Sequence, residues 1–195
     1  MGRDIQATKK RLLDAATNEF AQRGIAGARV DRIADLAGCS KALIYDYFGK
    51  KDQLFDAVYD ALVVTVMQEV PMDALDLVGY AGRLFDQYLA HPEILRLTAW
   101  DILERGGMGM RLEVVRAAYL RKVAAIEQAQ RDRRVADHWS PQEVLALIQA
   151  IGSMWLLAGP TVTELSASEM SARRHTVTEA VRCLVEGVNA DFEPK

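Results

Sequence analysis

Residues 29–48 read RVDRIADLAGCSKALIYDYF, and this stretch decides how the rest of the chain is understood. Val30, Ile33, Ala34 and Ala37 recur at helical spacing and give a first short helix one apolar face. Gly38 follows where that helix must stop, because glycine takes a left-handed backbone without a Cβ clash. Ser40 comes next, and its hydroxyl can accept from the orphan N–H groups of a new helix. That second helix, Lys41 to Phe48, is too short to fold alone and too aromatic for a loop. Two short helices joined by a tight turn form a helix-turn-helix, whose second helix enters the DNA major groove.

Working outward, AGCSKALIYDYFGKKDQL (residues 37–54) resembles the DNA-binding signature of the TetR family of transcriptional regulators. The order is the same: Ala-Gly, a small residue, Ser, a variable trio, then two aromatic positions before Phe, and a Lys. RLLDAATNEFAQRGIAGARVDRIA (residues 11–34) is similar to that family's first helix and its entry into the second. The match runs from about Ile5 to Leu54; the remainder resembles the family only in its length and its helical pattern.

Charge divides along the same line. The chain has 195 residues and net charge −3. Residues 1–51 hold ten Lys/Arg and six Asp/Glu, net +4, and residues 52–195 hold fourteen and twenty-one, net −7. A basic module on an acidic body is the pattern expected when one end meets phosphate. Half the residues (50%) are hydrophobic, enough for a core. Cys39 and Cys183 lack metal-ligand or CxxC spacing and read as reduced, small apolar side chains. No apolar run reaches the roughly 18 residues of a membrane span, and MGRDIQATKK has no signal-peptide core. The expectation is a cytoplasmic protein with no membrane partner.

The predicted fold class is all-α, with about nine helices. An N-terminal three-helix module (residues 1–51, helix-turn-helix 29–48) carries DNA binding. A helical effector-binding and dimerisation domain follows (residues 52–195), and a helix over 50–70 links the two. Helix one spans Ile5 to Arg23, with Ile5, Leu12, Leu13, Ala16 and Phe20 inward and Lys9, Lys10, Arg11 and Glu19 outward. Pro71 closes the linking helix. Helices are expected over Asp73–Ala90, Pro92–Arg105, Arg111 to about Arg134, and Ser140 to Leu157. Gly106-Gly107-Met108-Gly109 is a loop, and Ser140-Pro141-Gln142-Glu143 fits a capping box with proline at the first helical position. Thr161–Ala167 reads as a linker before a last helix, Ser168 to about Asn189.

For DNA, Ser40 caps the third helix and Lys41 can reach a guanine edge or a phosphate. Ala42 and Leu43 offer only apolar contact, for instance to a thymine methyl. The resemblance puts Gly and Thr at those two positions, so the operator sequence is expected to differ from the family's usual one. Tyr45 and Tyr47 match the family's aromatic positions, and Tyr47 resembles the residue whose hydroxyl meets a phosphate; partial burial of Tyr45 against helix one is the other reading. Lys50 and Lys51 open the fourth helix, where unpaired N–H groups already favour an anion, and Lys51 matches the family's lysine. Arg29, where the family usually shows Ser or Thr, could reach the backbone across the minor groove or lie on the surface.

A recognition helix this short makes few contacts, so two copies about 34 Å apart on a palindrome are expected, hence a homodimer. The stripes Val144, Leu147, Ile148, Ile151, Trp155 and Val177, Val181, Leu184, Val188 suit a four-helix dimer interface or the monomer's own core. A small-molecule effector would sit among the fifth to eighth helices, with Phe85, Tyr88, Trp100, Tyr119, Met154 and Trp155 as its apolar surface. Asp101, Glu104 and Gln149 would be its polar groups. Each could equally be ordinary core. No HExxH, GxSxG, GxGxxG or P-loop occurs, and His91, His138 and His175 lack metal-ligand spacing, so no enzyme activity and no cofactor are expected. The expected function is a ligand-responsive DNA-binding regulator, a repressor in the commoner case. The alternative is a helical small-molecule-binding protein that has lost DNA binding.

Overall fold

The computed structural model describes residues 2–158 and 169–186. Among them lie nine α-helices, one 3₁₀ turn and no strand. The helices are α1 (Gly2–Gly27), α2 (Val30–Ala37), α3 (Lys41–Phe48), α4 (Lys51–Glu69) and α5 (Leu77–Ala90). After them come α6 (Glu93–Arg105), the 3₁₀ turn (Met108–Arg111), α7 (Glu113–Arg131), α8 (Pro141–Leu157) and α9 (Met170–Glu186). The expected linker at 161–167, the start of the last helix at 168 and its end near 189 lie outside the described residues. No described helix is long and apolar enough to cross a membrane.

The chain folds as two compact units. One comprises Met1–Thr65 with Glu93–Arg116, the other Val66–Pro92 with Ala117–Lys195. This division differs from the expected boundary at residue 51. It cuts within α4 and α7, and it places α6 with the N-terminal helices.

In the first unit Leu12, Ala16, Phe20, Ile33, Leu54, Phe55 and Leu97 are fully buried. Phe20 meets Phe55 edge to face at 5.2 Å, a geometry aromatic pairs favour. α1 breaks at Gly24, whose φ of 72° and ψ of 176° no helix accommodates. The break leaves room for α6: a Cβ at Gly24 would fall 3.2 Å from the Trp100 ring and against a Glu104 carboxylate oxygen. Trp100 Nε1 donates to Ala21 O at 3.4 Å, and Glu104 accepts from Ala26 N at 2.6 Å. Ile5, expected inward, is 42% exposed, because the first turn of α1 runs past the core.

Glu19 reverses an expectation. Placed outside by periodicity, it is buried (4% exposed) because α2 starts directly over it. α2 has Arg29 at its N-cap and no side-chain cap there. The Glu19 carboxylate on α1 instead accepts from the N-cap residue's own N–H, Arg29 N, at 2.9 Å. The same oxygen accepts from Arg32 Nε at 2.8 Å and Nη2 at 2.5 Å.

In the second unit α5 packs against α8 and α9. Tyr80, Ala81, Leu84 and Phe85 are buried, as are Ile126, Leu145, Ile148, Val177 and Val181. α8 packs on α5 at Gly152, where a Cβ would stand at ordinary contact distance, 3.8 Å, from Leu84 and Tyr88. Arg174 pairs with Asp86, both Nε bonds near 3.0 Å. α5 begins four residues later than expected, because Asp76 caps it by accepting from Gly79 N at 2.9 Å. Residues 73–76 are a turn instead of an acidic first helical turn. Ser140 and Glu143 form the expected capping box, with Pro141 at the first helical position. Burial also sorts the two apolar stripes. Val144, Ile148, Val177 and Val181 close this unit's own core, while Leu147, Ile151, Trp155 and Leu184 stay half-buried and Met154 and Leu157 are exposed.

Candidate nucleic-acid interface

The turn between α2 and α3 is built from local rules. Gly38 adopts φ 63°, ψ 43°. Gly38 N donates to Asp35 O at 3.2 Å and Cys39 N to Ala34 O at 3.0 Å, the paired bonds of a Schellman ending. Ser40 then caps α3, its Oγ accepting from Leu43 N at 3.2 Å. Of α3 only Ile44 is buried, and it anchors the helix to the core. Lys41, Ala42, Tyr45 and Asp46 are left exposed, with Leu43 and Tyr47 half-buried. Tyr45 at 45% exposure is a surface residue. Tyr47 is steadied by Lys9 from α1, whose ammonium stands 5.3 Å over its ring, and by an edge contact with Phe48.

The cations divide into free and occupied ones. Lys41 Nζ pairs with Asp31 on α2 at 2.8 Å. The hydrogen bond to Asp31, with that carboxylate's charge, holds the Lys41 ammonium above its ordinary pKa despite some desolvation. The Arg29 side chain is exposed and Lys50 is exposed. Lys50 N–H donates to Gln53 Oε1 at 2.7 Å, half of a capping box. The Lys50 side chain has no acceptor to offer the first N–H groups of α4, so that end keeps its preference for an anion. Lys51, expected as an outward clamp, instead turns inward. Its Nζ donates to Ala26 O at 3.1 Å and Ala28 O at 3.2 Å, closing the corner between α1 and α2. Two of its three donors are thus occupied.

The nine expected effector residues separate. Trp100, Asp101 and Glu104 belong to the first unit, and each already has structural work there. Trp100 and Glu104 brace the broken end of α1. Asp101, 1% exposed, accepts from Gly109 N at 2.8 Å and stands 3.6 Å from Arg105. Arg105 also bonds Asp56 on α4 at 2.7 Å and covers the Phe55 ring at 5.0 Å. Phe85, Tyr88, Tyr119, Gln149, Met154 and Trp155 all fall in the second unit. There Phe85 and Tyr88 are buried and Met154 is exposed. Trp155 Nε1 is buried with no acceptor, and Arg173 lies over its ring at 5.3 Å. Sequence reasoning placed Glu19 outside and did not single out Asp31, Arg32 or Lys122; their partners come from other helices or turns.

A capped, nearly unburied short helix at the end of a Schellman turn, with cations and tyrosines around it, defines a helix-turn-helix DNA-binding protein. Comparison with known proteins agrees. Residues 12–58 match the family described as bacterial regulatory proteins, tetR family, and residues 76–183 match the tetracyclin repressor-like C-terminal domain. The chain is 37% identical over 189 residues to the HTH-type transcriptional repressor SCO4008 of Streptomyces coelicolor, covering 94% of this chain and 98% of that one. Its fold superposes on the crystal structure of the putative regulator SCO4942 of the same organism with TM-score 0.80 and 36% identity, over 91% and 98% of the two chains. FadR of Bacillus subtilis, solved with stearoyl-CoA, shares the fold at TM-score 0.65 and 14% identity, over 93% and 100%. The chain belongs to the TetR family: it is a DNA-binding transcriptional regulator and not an enzyme.

Proposed function

We propose that this regulator is a repressor that binds a palindromic operator as a homodimer and leaves it when a small molecule occupies the second unit. The observation that carries the reading is the exposed N-terminal end of α3, capped by Ser40. Ser40, Lys41, Ala42 and Leu43 form its reading edge, Tyr45 and Tyr47 flank it, and Arg29 and Lys50 supply phosphate contacts. Lys51 serves mainly by holding the α1–α2 corner, with one donor left for phosphate. We assign DNA binding to residues 1–51 and effector binding with dimerisation to the remainder. The half-buried Leu147 and Ile151 and the exposed Leu157 on α8 support a helical dimer interface. A repressor name on a relative of 37% identity supports repression. Phe85, Tyr88, Tyr119, Gln149, Met154 and Trp155 remain the candidate effector surface; the FadR neighbour holds an acyl-CoA in the same fold.

A ligand shifts the equilibrium only by its differential affinity for the DNA-bound and released shapes. α4 and α7, which run through both units, provide the covalent route for that coupling. The test is a mobility shift with the DNA upstream of the protein's own gene, with stoichiometry read by mass photometry. Two protomers per duplex and a tenfold or greater loss for Lys41→Ala are expected. One protomer per site, or no retarded band at low salt, would overturn the reading.

A further inference from the structure

In the second unit a half-buried lysine has no carboxylate partner. Lys122 on α7 reaches α5, where its Nζ donates to the Tyr80 hydroxyl at 2.8 Å and lies 5.2 Å from that ring's centre. Tyr80 has no exposed surface. An ammonium withdrawn from water ordinarily takes an anionic partner. Among the described residues Lys122 forms no ion pair, and burial alone pulls its pKa below the ordinary lysine value.

Donors are left over on Lys122 and Tyr80. The ammonium has three N–H groups and one goes to Tyr80, whose own O–H remains a donor. On α8, Trp155 lies three residues beyond Gly152, on the face that meets α5, and its buried Nε1–H has no acceptor. Leu84 and Phe85 give α5 an apolar wall beside Tyr80. A methionine would fill the Lys122 position at lower cost if packing were its only task. The surplus of donors over acceptors in an apolar setting is the complement of an anionic oxygen pair on an apolar body.

We propose that Lys122 and Tyr80 recognise the carboxylate of an apolar organic acid, and that this acid is the effector. The proposal rests on the ligand-responsive reading above and names the chemical class of its ligand. Lys122 supplies the charge, Tyr80 orients the carboxylate by its O–H, and Trp155 adds a neutral donor.

The test uses the full-length protein with benzoate, salicylate and decanoate, each beside its own amide, and with inorganic phosphate and tetraethylammonium as further arms. Two readouts are taken: melting temperature, and operator affinity by anisotropy normalised to each variant's ligand-free value. At least one carboxylate is expected to raise the melting temperature by several degrees and weaken operator binding tenfold or more, with its amide inert. Lys122→Met should keep its ligand-free melting temperature or raise it and lose that response; Lys122→Arg should keep part of it, and Tyr80→Phe should weaken it. Carboxylates without effect, acid and amide acting alike, Lys122→Met responding like wild type, or a response to phosphate or tetraethylammonium alone would overturn the proposal. Failure to bind DNA under any condition would instead overturn the regulatory reading, while the melting data would still decide whether the anion site exists.

Discussion

Removing the Glu19 carboxylate should loosen the helix-turn-helix without altering any side chain assigned to DNA. Its Oε1 takes the Arg29 N–H at 2.9 Å and two Arg32 donors at 2.8 and 2.5 Å, and Oε2 lies 3.6 Å from Arg23. Truncating one partner of a buried charge pair costs about 3–5 kcal/mol. Arg32 and Arg23 keep 35% and 52% side-chain exposure, so their guanidiniums regain water and the cost falls. About 2–3 kcal/mol is expected for Glu19→Ala, including the Arg29 N–H left unpaired. For a chain of this size that lowers the melting temperature by about 4–12 °C. Glu19→Gln keeps the shape and should cost about 1–2 kcal/mol. Burial pushes this carboxyl up, but the bonds from Arg32 and Arg29 N–H with the charges of Arg32 and Arg23 outweigh it, and its pKa lies below 4.5. A lowered folded pKa means stability that is complete above 4.5 and lost as the pH falls through the folded value. Glu19→Gln should therefore lose less stability than wild type over that acid window. Thermal melts from neutral pH into that window measure both effects. Variants melting within a degree of wild type, with parallel pH profiles, would refute the role of Glu19 in holding the start of α2.

Gly24→Ala should destabilise the protein by about 1–3 kcal/mol, because a Cβ at positive φ would also strike Trp100 and Glu104; a calorimetric melt checks it. Asp31→Asn frees Lys41 and removes a carboxylate from the DNA face, so operator affinity by anisotropy should rise about two- to tenfold with the melting temperature unchanged. Lys51→Met should lower both DNA affinity and melting temperature, since it loses two carbonyl bonds as well as a charge, and Lys51→Arg should recover part of each. A loss of affinity with no change in melting would mean Lys51 is a phosphate contact alone.

What was legible in the sequence was local. The α2 face, the Gly38 ending and the Ser40 cap each depend on residues within four positions, so periodicity and capping rules reach them. The Ser140–Glu143 box was legible for the same reason. What was hidden depends on distant partners. Glu19 lies in a polar register of α1, and only the return of α2, ten to thirteen residues on, buries it. Trp100 and Glu104 resemble pocket residues until α6 is seen bracing Ala21 and Ala26, nearly eighty positions away. Lys51 reads as a solvent-facing clamp because nothing in its neighbourhood announces the carbonyls of Ala26 and Ala28. Lys122 drew no attention in the sequence, since its partner Tyr80 is 42 residues away. Asp73 misled at the start of α5 because an acidic turn before a helix and an acidic first turn of it have the same composition.

The central claim is that the exposed end of α3 meets the phosphates and bases of a duplex in two copies. The salt dependence of operator affinity tests it most directly, measured for wild type and Lys41→Ala between 50 and 200 mM salt, roughly the range over which counterion release is readily resolved. A steep negative log–log slope is predicted for wild type, shallower by about 1–2 in Lys41→Ala because two protomers each lose one cation. A slope near zero, or the same slope in both proteins, would contradict the account.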